Sequence, residues 1–354
     1  MTTPYDISST LVDDFAQADP LYATSLGIAG YDHLWGDRGP DGEAHKADLA
    51  RSYRSQFAPH LDHSDPEQRR AAQVLTGLLD EWIEAYEAGD HFEDLRHMAS
   101  TFQSFSMIFD TMDTTSAEAW DNICARLETM DQALGDYQEL LESGRRSGHT
   151  VAARQVRSVI AQSRALSGES SAFTNLIATA ERSGHAVVVD RLTEAIAVAK
   201  HAVATFTDYL ESTYLPDARL VDAAGEERYR RAAGRLVGID VDPYEAYAWG
   251  WEELAGLIGQ AEVVGQEILP GGSFAEVTAL LESDPARSAD SPEAFVEFIQ
   301  ARLDDARSRL WGTHYEVAPE IEPLTVNLAP PGGPLGAYDL SPSEDFVRPG
   351  GVWY

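Results

Sequence analysis

Most of the chain is written in apolar steps of three and four. From Trp120 the apolar positions run Trp120, Ile123, Leu127, Met130, Leu134, Tyr137 and Leu141, which share one stripe on a helix. A second stripe runs Leu192, Ile196, Ala199, Val203, Phe206, Leu210. A third runs Tyr244, Tyr247, Trp251, Leu254, Ile258, and a fourth Phe295, Phe298, Leu303, Ala306, Leu310. Each predicts an amphipathic helix with that face turned to a core. Helix starts are marked by Ser64-Asp-Pro-Glu67, Thr115-Ser-Ala-Glu118 and Asp290-Ser-Pro-Glu293, which place a capping oxygen three residues before a carboxylate. Asp242-Pro-Tyr-Glu245 adds Pro243 at the first helical position, where its missing donor costs nothing. Gly89, Gly144 and Gly184 are expected as helix stops. Arg146-Ser-Gly-His149 recurs as Arg182-Ser-Gly-His185. The flanks do not match and no third copy follows, so the pair reads as two similar inter-helix turns and not as a solenoid repeat.

The texture changes near residue 319. Seven of the 17 prolines lie from Pro319 onward, with Gly332, Gly333, Gly336 and Gly350 among them. Leu324 to Ala329 alternates like a strand, Pro330 to Pro334 reads as a turn, and Leu335 to Leu340 as a return strand. The expected architecture is mainly α: a large bundle of long amphipathic helices in a domain over 1–318, then a β-hairpin and irregular segment over 319–354. The closing SEDFVRPGGVWY keeps Phe346, Trp353 and Tyr354 where a free terminus would fray into polar residues, so it reads as a segment prepared for packing.

Composition narrows the partners. The 354 residues carry 59 acids against 26 bases, a net charge of −33, and only Lys46 and Lys200 among the bases are lysines. Such a field repels nucleic acid and anionic membranes. The acidity itself reads as the mark of a high-GC or salt-adapted genome before any function. The single Cys124 excludes an internal disulfide and a cysteine zinc knuckle. MTTPYDISST has no basic n-region, and no 18-residue apolar run occurs, so a soluble cytoplasmic protein is expected.

The residues alone do not specify a catalytic centre. No His-Glu-x-x-His places two imidazoles on one helical face, no Gly-x-Ser-x-Gly elbow occurs, and no glycine-rich phosphate loop precedes a lysine. His91 and His97 are six apart and would face opposite sides of a helix, so they read as a polar helix junction. His60 and His63 read as a solvated loop. Glu252 and Glu253 are adjacent and diverge by about 100° on a helix, so they cannot share one substrate atom.

Several stretches together resemble the domain of unknown function 885 family. Asp19-Pro-Leu-Tyr-Ala-Thr-Ser-Leu-Gly27 with Gly30-Tyr-Asp32 is similar to its opening signature. Phe206-Thr-Asp-Tyr-Leu210, Tyr214-Leu-Pro216, Gly225-Glu-Glu-Arg-Tyr229, Gly238 to Tyr247 and Trp249-Gly250 resemble its middle. Pro342-Ser-Glu-Asp-Phe346 and Arg348-Pro-Gly350 resemble its "P-S-x-D-x-x-RPG" segment. The resemblance implies a fold like the N-terminal half of a gluzincin-type zinc peptidase, with a cleft floored by a short sheet. It also implies, in longer family members, a His-Glu helix holding zinc and a general base that act on a peptide-like substrate. No position here matches those ligands or that base, so no catalytic or metal residue and no cofactor is assigned to this chain. Tyr338 and Arg348 are the polar groups expected to line the cleft, with Arg348 clamping a turn as the competing role. The expected function is the N-terminal portion of a zinc-dependent, metallopeptidase-type hydrolase, inactive alone and prone to self-association through a truncated face. The alternatives are a non-catalytic helical peptide-binding or scaffold protein, or a truncated product without a function of its own.

Overall fold

The computed structural model describes residues 2–169, 171–329, 338–343 and 345–354. The chain forms two compact units: residues 1–223 with 329–351, and residues 224–328 with 352–354. The division falls inside the span that composition alone assigns to one helical domain. Proline and glycine at 319 mark where helical periodicity stops, which is a different property from where contacts thin out.

The first unit contains α1 (Pro4–Ala18), α2 (Pro20–Leu26), α3 (Pro40–Phe57), α4 (Pro66–Glu87), α5 (Thr101–Met107), α6 (Ala117–Glu128), α7 (Met130–Ser147), α8 (Ala153–Ser167), α9 (Asn175–Arg182) and α10 (Val189–Tyr209). The stripe from Trp120 to Leu141 is buried at every position. It is carried by two helices, because Thr129 leaves the helical region between α6 and α7. The α10 stripe from Leu192 to Leu210 is buried throughout as well. Both join one core with Trp35, Phe102, Phe105 and Phe173. A smaller core joins α1, α3 and α4 through Ile7, Leu11, Tyr53, Phe57 and Leu79. Each fully buried side chain of this size contributes ~1.5–3 kcal/mol relative to exposure.

Helix boundaries follow the expected chemistry with a consistent offset. The caps are Asp65, Ser116 and Ser291, one residue later than Ser64, Thr115 and Asp290; Ser116 accepts from Ala119 N–H and Ser291 from Ala294 N–H. Pro66 and Pro292 then occupy first helical positions, where a missing donor is harmless. Gly89 and Gly184 end their helices in the left-handed region. Gly144 does not end one. It lies inside α7, where an added Cβ would meet Phe92 Cβ at 2.6 Å, and the helix ends at Gly148. The two echoed turns close alike: His149 N–H donates to Gly144 O and His185 N–H to Ala180 O, each at 2.9 Å, around Gly148 and Gly184 at positive φ. This is the six-to-one bond of a Schellman turn.

His91 sits in the turn after α4, half-buried and stacked on Tyr86 at 4.6 Å, while His97 shares the Gln155 side-chain oxygen between its ring and its backbone N–H. Burial pulls the His91 imidazole below its ordinary value; Glu43 and Asp90 act upward, His149 and Lys46 downward. A depressed imidazole favours folding above its unfolded value of about 6.5, and that contribution is lost as pH falls. The melting temperature is therefore expected to drop as pH falls below about 6.5, with His91→Phe flattening that part of the profile. A profile unchanged by His91→Phe contradicts this assignment.

The second unit contains α11 (Glu226–Val237), α12 (Pro243–Ile268), α13 (Phe274–Ser283) and α14 (Pro292–Leu310). Asp242 caps α12 as expected, accepting from Tyr244 and Glu245 N–H. Here the packing departs from the expected pattern. The third stripe is exposed, not buried, and Phe298 and Leu310 of the fourth are exposed too. Of all the side chains in this unit, only Val277 and Val326 rank among the buried hydrophobics.

The strands are β1 (Leu324–Asn327), β2 (Tyr338–Leu340) and β3 (Gly350–Trp353), in the order β1-β3-β2. The two expected strands are therefore not paired to each other, because β3 lies between them. The expected turn over 330–334 and residues 335–337 of the return strand lie outside the described residues. The terminal aromatics form structure: Trp353 lies in β3, and Tyr354 N–H donates to Asn327 O at 3.0 Å.

Candidate functional site

The residues that carry the opening and closing signatures meet in space within the first unit. Asp19 caps α2, accepting from Leu21 and Tyr22 N–H at 3.2 and 3.3 Å, and Pro20 follows at the first helical position. The same carboxylate pairs with Arg38, and Lys46 lies 4.0 Å away. Burial alone would push the Asp19 carboxyl up; the Arg38 guanidinium, with Lys46 and the Tyr22 N–H, outweighs it and holds the group below its usual range. Helix α2 stops at Gly27, whose φ of 75° is left-handed. Its late carbonyl at Ser25 accepts from the Arg348 guanidinium. Cations are favoured at helix C-termini, where carbonyls lack intrahelical partners.

The segment bearing Arg348 is a closed loop. Ser343 N–H donates to Arg348 O, and Arg348 N–H donates to Ser343 Oγ, both at 2.9 Å. The Ser343 hydroxyl donates to Asp345 Oδ1 at 2.6 Å, and that oxygen accepts from Val347 N–H at 3.0 Å. Phe346 sits at the crown with φ 58°, a conformation that costs a non-glycine residue ~1 kcal/mol or more. Ser343 is buried, and a Cβ placed on Gly27 would lie 2.7 Å from Ser343 Cβ. Gly27 is therefore required twice, for its φ and for the approach of the loop.

Arg348 is a clamp between the closing loop and the end of α2. Burial pulls its guanidinium below the ordinary value, and among the described residues its Nη1 is buried without a partner. Tyr338 opens β2, and its side chain lies outside what the structure describes. His60 and His63 stack on each other, 6.1 Å apart, between α3 and α4, and Glu252 and Glu253 are both exposed on α12. Among the described residues no three His, Cys, Asp or Glu side chains are placed to hold a metal ion. The zinc implied by the family resemblance finds no fitting ligand set among the described residues.

The sequence reading missed Arg126. This cation is fully buried on α6, with its guanidinium donating to Leu34 O at 2.7 and 3.1 Å, to Tyr31 O at 3.2 Å and to Thr24 Oγ1 at 3.0 Å. It also lies over the Trp35 ring, and Trp35 Nε1–H donates back to Arg126 O at 2.6 Å. Burial pulls the guanidinium down to about 10, still charged at neutral pH. Thr24 passes the contact on to Asp32 Oδ1 at 2.7 Å. The opening signature, Ala-Thr-x-Leu-Gly followed by Tyr-Asp, is thus the cradle of one buried arginine. A signal existed: Arg126 is three residues beyond Ile123, on the apolar stripe itself.

A family model described as "Bacterial protein of unknown function (DUF885)" matches residues 20–354. No curated protein matches the chain. Among solved structures, the fold is similar to the "putative lipoprotein from Colwellia psychrerythraea", with a TM-score of 0.76 and 17% identity, covering 98% of this chain and 67% of that one. It is also similar to a "putative lipoprotein of unknown function from Shewanella oneidensis", with a TM-score of 0.61 and 12% identity, covering 92% of this chain and 60% of that one. At these identities the likeness establishes the fold alone.

Proposed function

The chain belongs to the DUF885 family of bacterial proteins of unknown function, and from that premise we propose that it is the substrate-facing, non-catalytic part of a zinc-dependent peptide hydrolase. What supports this is a contrast within the molecule itself. The opening and closing family signatures are used in building structure, while the described residues offer no metal ligand set. Catalysis by zinc-activated water needs three protein ligands and a base. In this reading they lie on residues other than these. The scaffold alternative draws on the open aromatic face of α12.

The test is direct. The purified chain is expected to hold no stoichiometric zinc by metal analysis and to leave a quenched fluorescent peptide library uncut. The coding sequence downstream of codon 354 is expected to continue in frame into a His-Glu helix, and the longer product to bind zinc and cleave peptides. A longer product that binds no zinc and cuts nothing sinks the hydrolase reading; one-to-one zinc with cleavage by this chain sinks the non-catalytic one. We likewise propose a cytoplasmic location, although two proteins of similar fold are described as putative lipoproteins.

A further inference from the structure

Among the described strands β1 has one neighbour, β3, so its other side is an edge. An open edge is a template for a further strand, and folded proteins cover or blunt it. The alternation of the backbone says which groups lie there. Tyr354 N–H, just past β3, donates to Asn327 O at 3.0 Å, so Asn327 and Thr325 face β3 while Leu324 and Val326 face the edge. One side chain takes a group from each of the two edge residues. Gln300 of α14 donates from Nε2 to Leu324 O at 3.2 Å and accepts at Oε1 from Val326 N–H at 2.9 Å. One residue of a parallel neighbouring strand would engage this same pair, a carbonyl and the N–H two positions on.

The residue type suits the place. A side-chain amide carries a donor and an acceptor on one carbon and stays neutral. Gln300 shares a helical stripe with Glu293, Glu297 and Asp304, and its Nε2 also donates to Asp304 Oδ1 at 3.3 Å. A fourth carboxylate at this position would set a negative charge against Leu324 O. In sequence Pro323 and Pro330 bracket the strand, so the edge is short enough for one side chain to close its middle.

We propose that Gln300 is an edge guard: its amide stands in for one residue of an absent strand and keeps β1 from pairing with the same segment of a second copy. The net charge of −33 does not make the guard redundant. It holds copies apart at a distance, but at physiological salt it is screened within about 8 Å and does little once two backbones touch. The inference does not depend on the hydrolase reading, since no ligand or catalyst enters it.

The experiment compares the full chain with its Gln300→Met variant, which keeps the length of the side chain and loses both polar groups. Hydrogen exchange is read at single amides by NMR. In the unsubstituted protein Val326 N–H, although it faces the edge, is expected to be protected as Thr325 N–H is. Gln300→Met is expected to speed exchange at Val326 by about tenfold or more and to leave Thr325 little changed. The second copy is represented by a fluorescein-labelled peptide of residues 322–329, with a twin N-methylated at two consecutive residues so that neither of its edges can pair. By fluorescence anisotropy the variant is expected to bind the plain peptide at least about tenfold tighter than the unsubstituted chain does, and to ignore the twin. Equal binding of the plain peptide by the two chains overturns the proposal, because the edge then needs no guard. Equal binding of the twin by the variant also overturns it, because main-chain pairing is then not what Gln300 prevents. So does a Val326 N–H that exchanges in the unsubstituted protein like a free amide, a result that stands even if Gln300→Met fails to fold.

Discussion

Replacing Arg126 with Met is expected to lower the free energy of unfolding by about 3 kcal/mol, read from urea transitions that keep their slope. Methionine nearly fills the space but donates nothing. Leu34 O then loses its donor, Tyr31 O keeps only Leu34 N–H, and Thr24 Oγ1 keeps only its contacts to Pro20 O and Asp32. Each hydrogen bond from a charged group is worth ~1.5–3 kcal/mol net, offset here by the relief of an ion buried without an adjacent carboxylate. Arg126→Lys is expected to recover little, because one ammonium cannot reproduce a planar fork that serves three oxygens and lies over Trp35. A midpoint in urea unmoved by Arg126→Met removes the arginine from the centre of this account.

The second large effect concerns Gly27. Alanine there is expected to cost about 3 kcal/mol, combining ~1 kcal/mol for a left-handed φ with the 2.7 Å encounter with Ser343 Cβ. The two parts separate in a double-mutant cycle with Ser343→Gly, which removes the struck atom and leaves the backbone cost. Coupling of about 1.5 kcal/mol or more is expected between the two positions. Hydrogen exchange at Arg348 N–H, which donates to Ser343 Oγ, should accelerate in Gly27→Ala. Strict additivity of the two substitutions contradicts the contact.

How much of this was readable beforehand differs residue by residue. The α10 stripe was legible because one face is buried from end to end, so apolar period and burial coincide. The break at Thr129 was not, since Leu127 to Met130 keeps the three-residue step while the backbone turns. Gly144 was misread as a stop because glycine marks turns and close approaches alike, and only the folded position of Phe92 tells which. Tyr247 and Trp251 announced a helix correctly, but periodicity reports which side chains seek cover and not whether cover is present. Arg348 was legible as a clamp or a cleft group. Its carbonyl partner at Ser25 was not, because nothing local ties those two stretches. Gly27 and Ser343 stood in the two family signatures as separate patterns, and their shared reason is a single contact.

That contact also bears on the order in which the molecule assembles. The bond from Arg348 to Ser25 spans 323 positions, and the first unit is interrupted in sequence by the second. Loop-closure entropy grows only slowly with length, so the equilibrium tolerates the span, but contacts of this range form late. On the ribosome, α2 emerges early and its exposed end waits through the 323 positions that separate Ser25 from Arg348 before the closing loop arrives. A nascent chain of this kind carries an unfinished surface until that loop arrives, an interval in which exposed apolar surface invites misassembly.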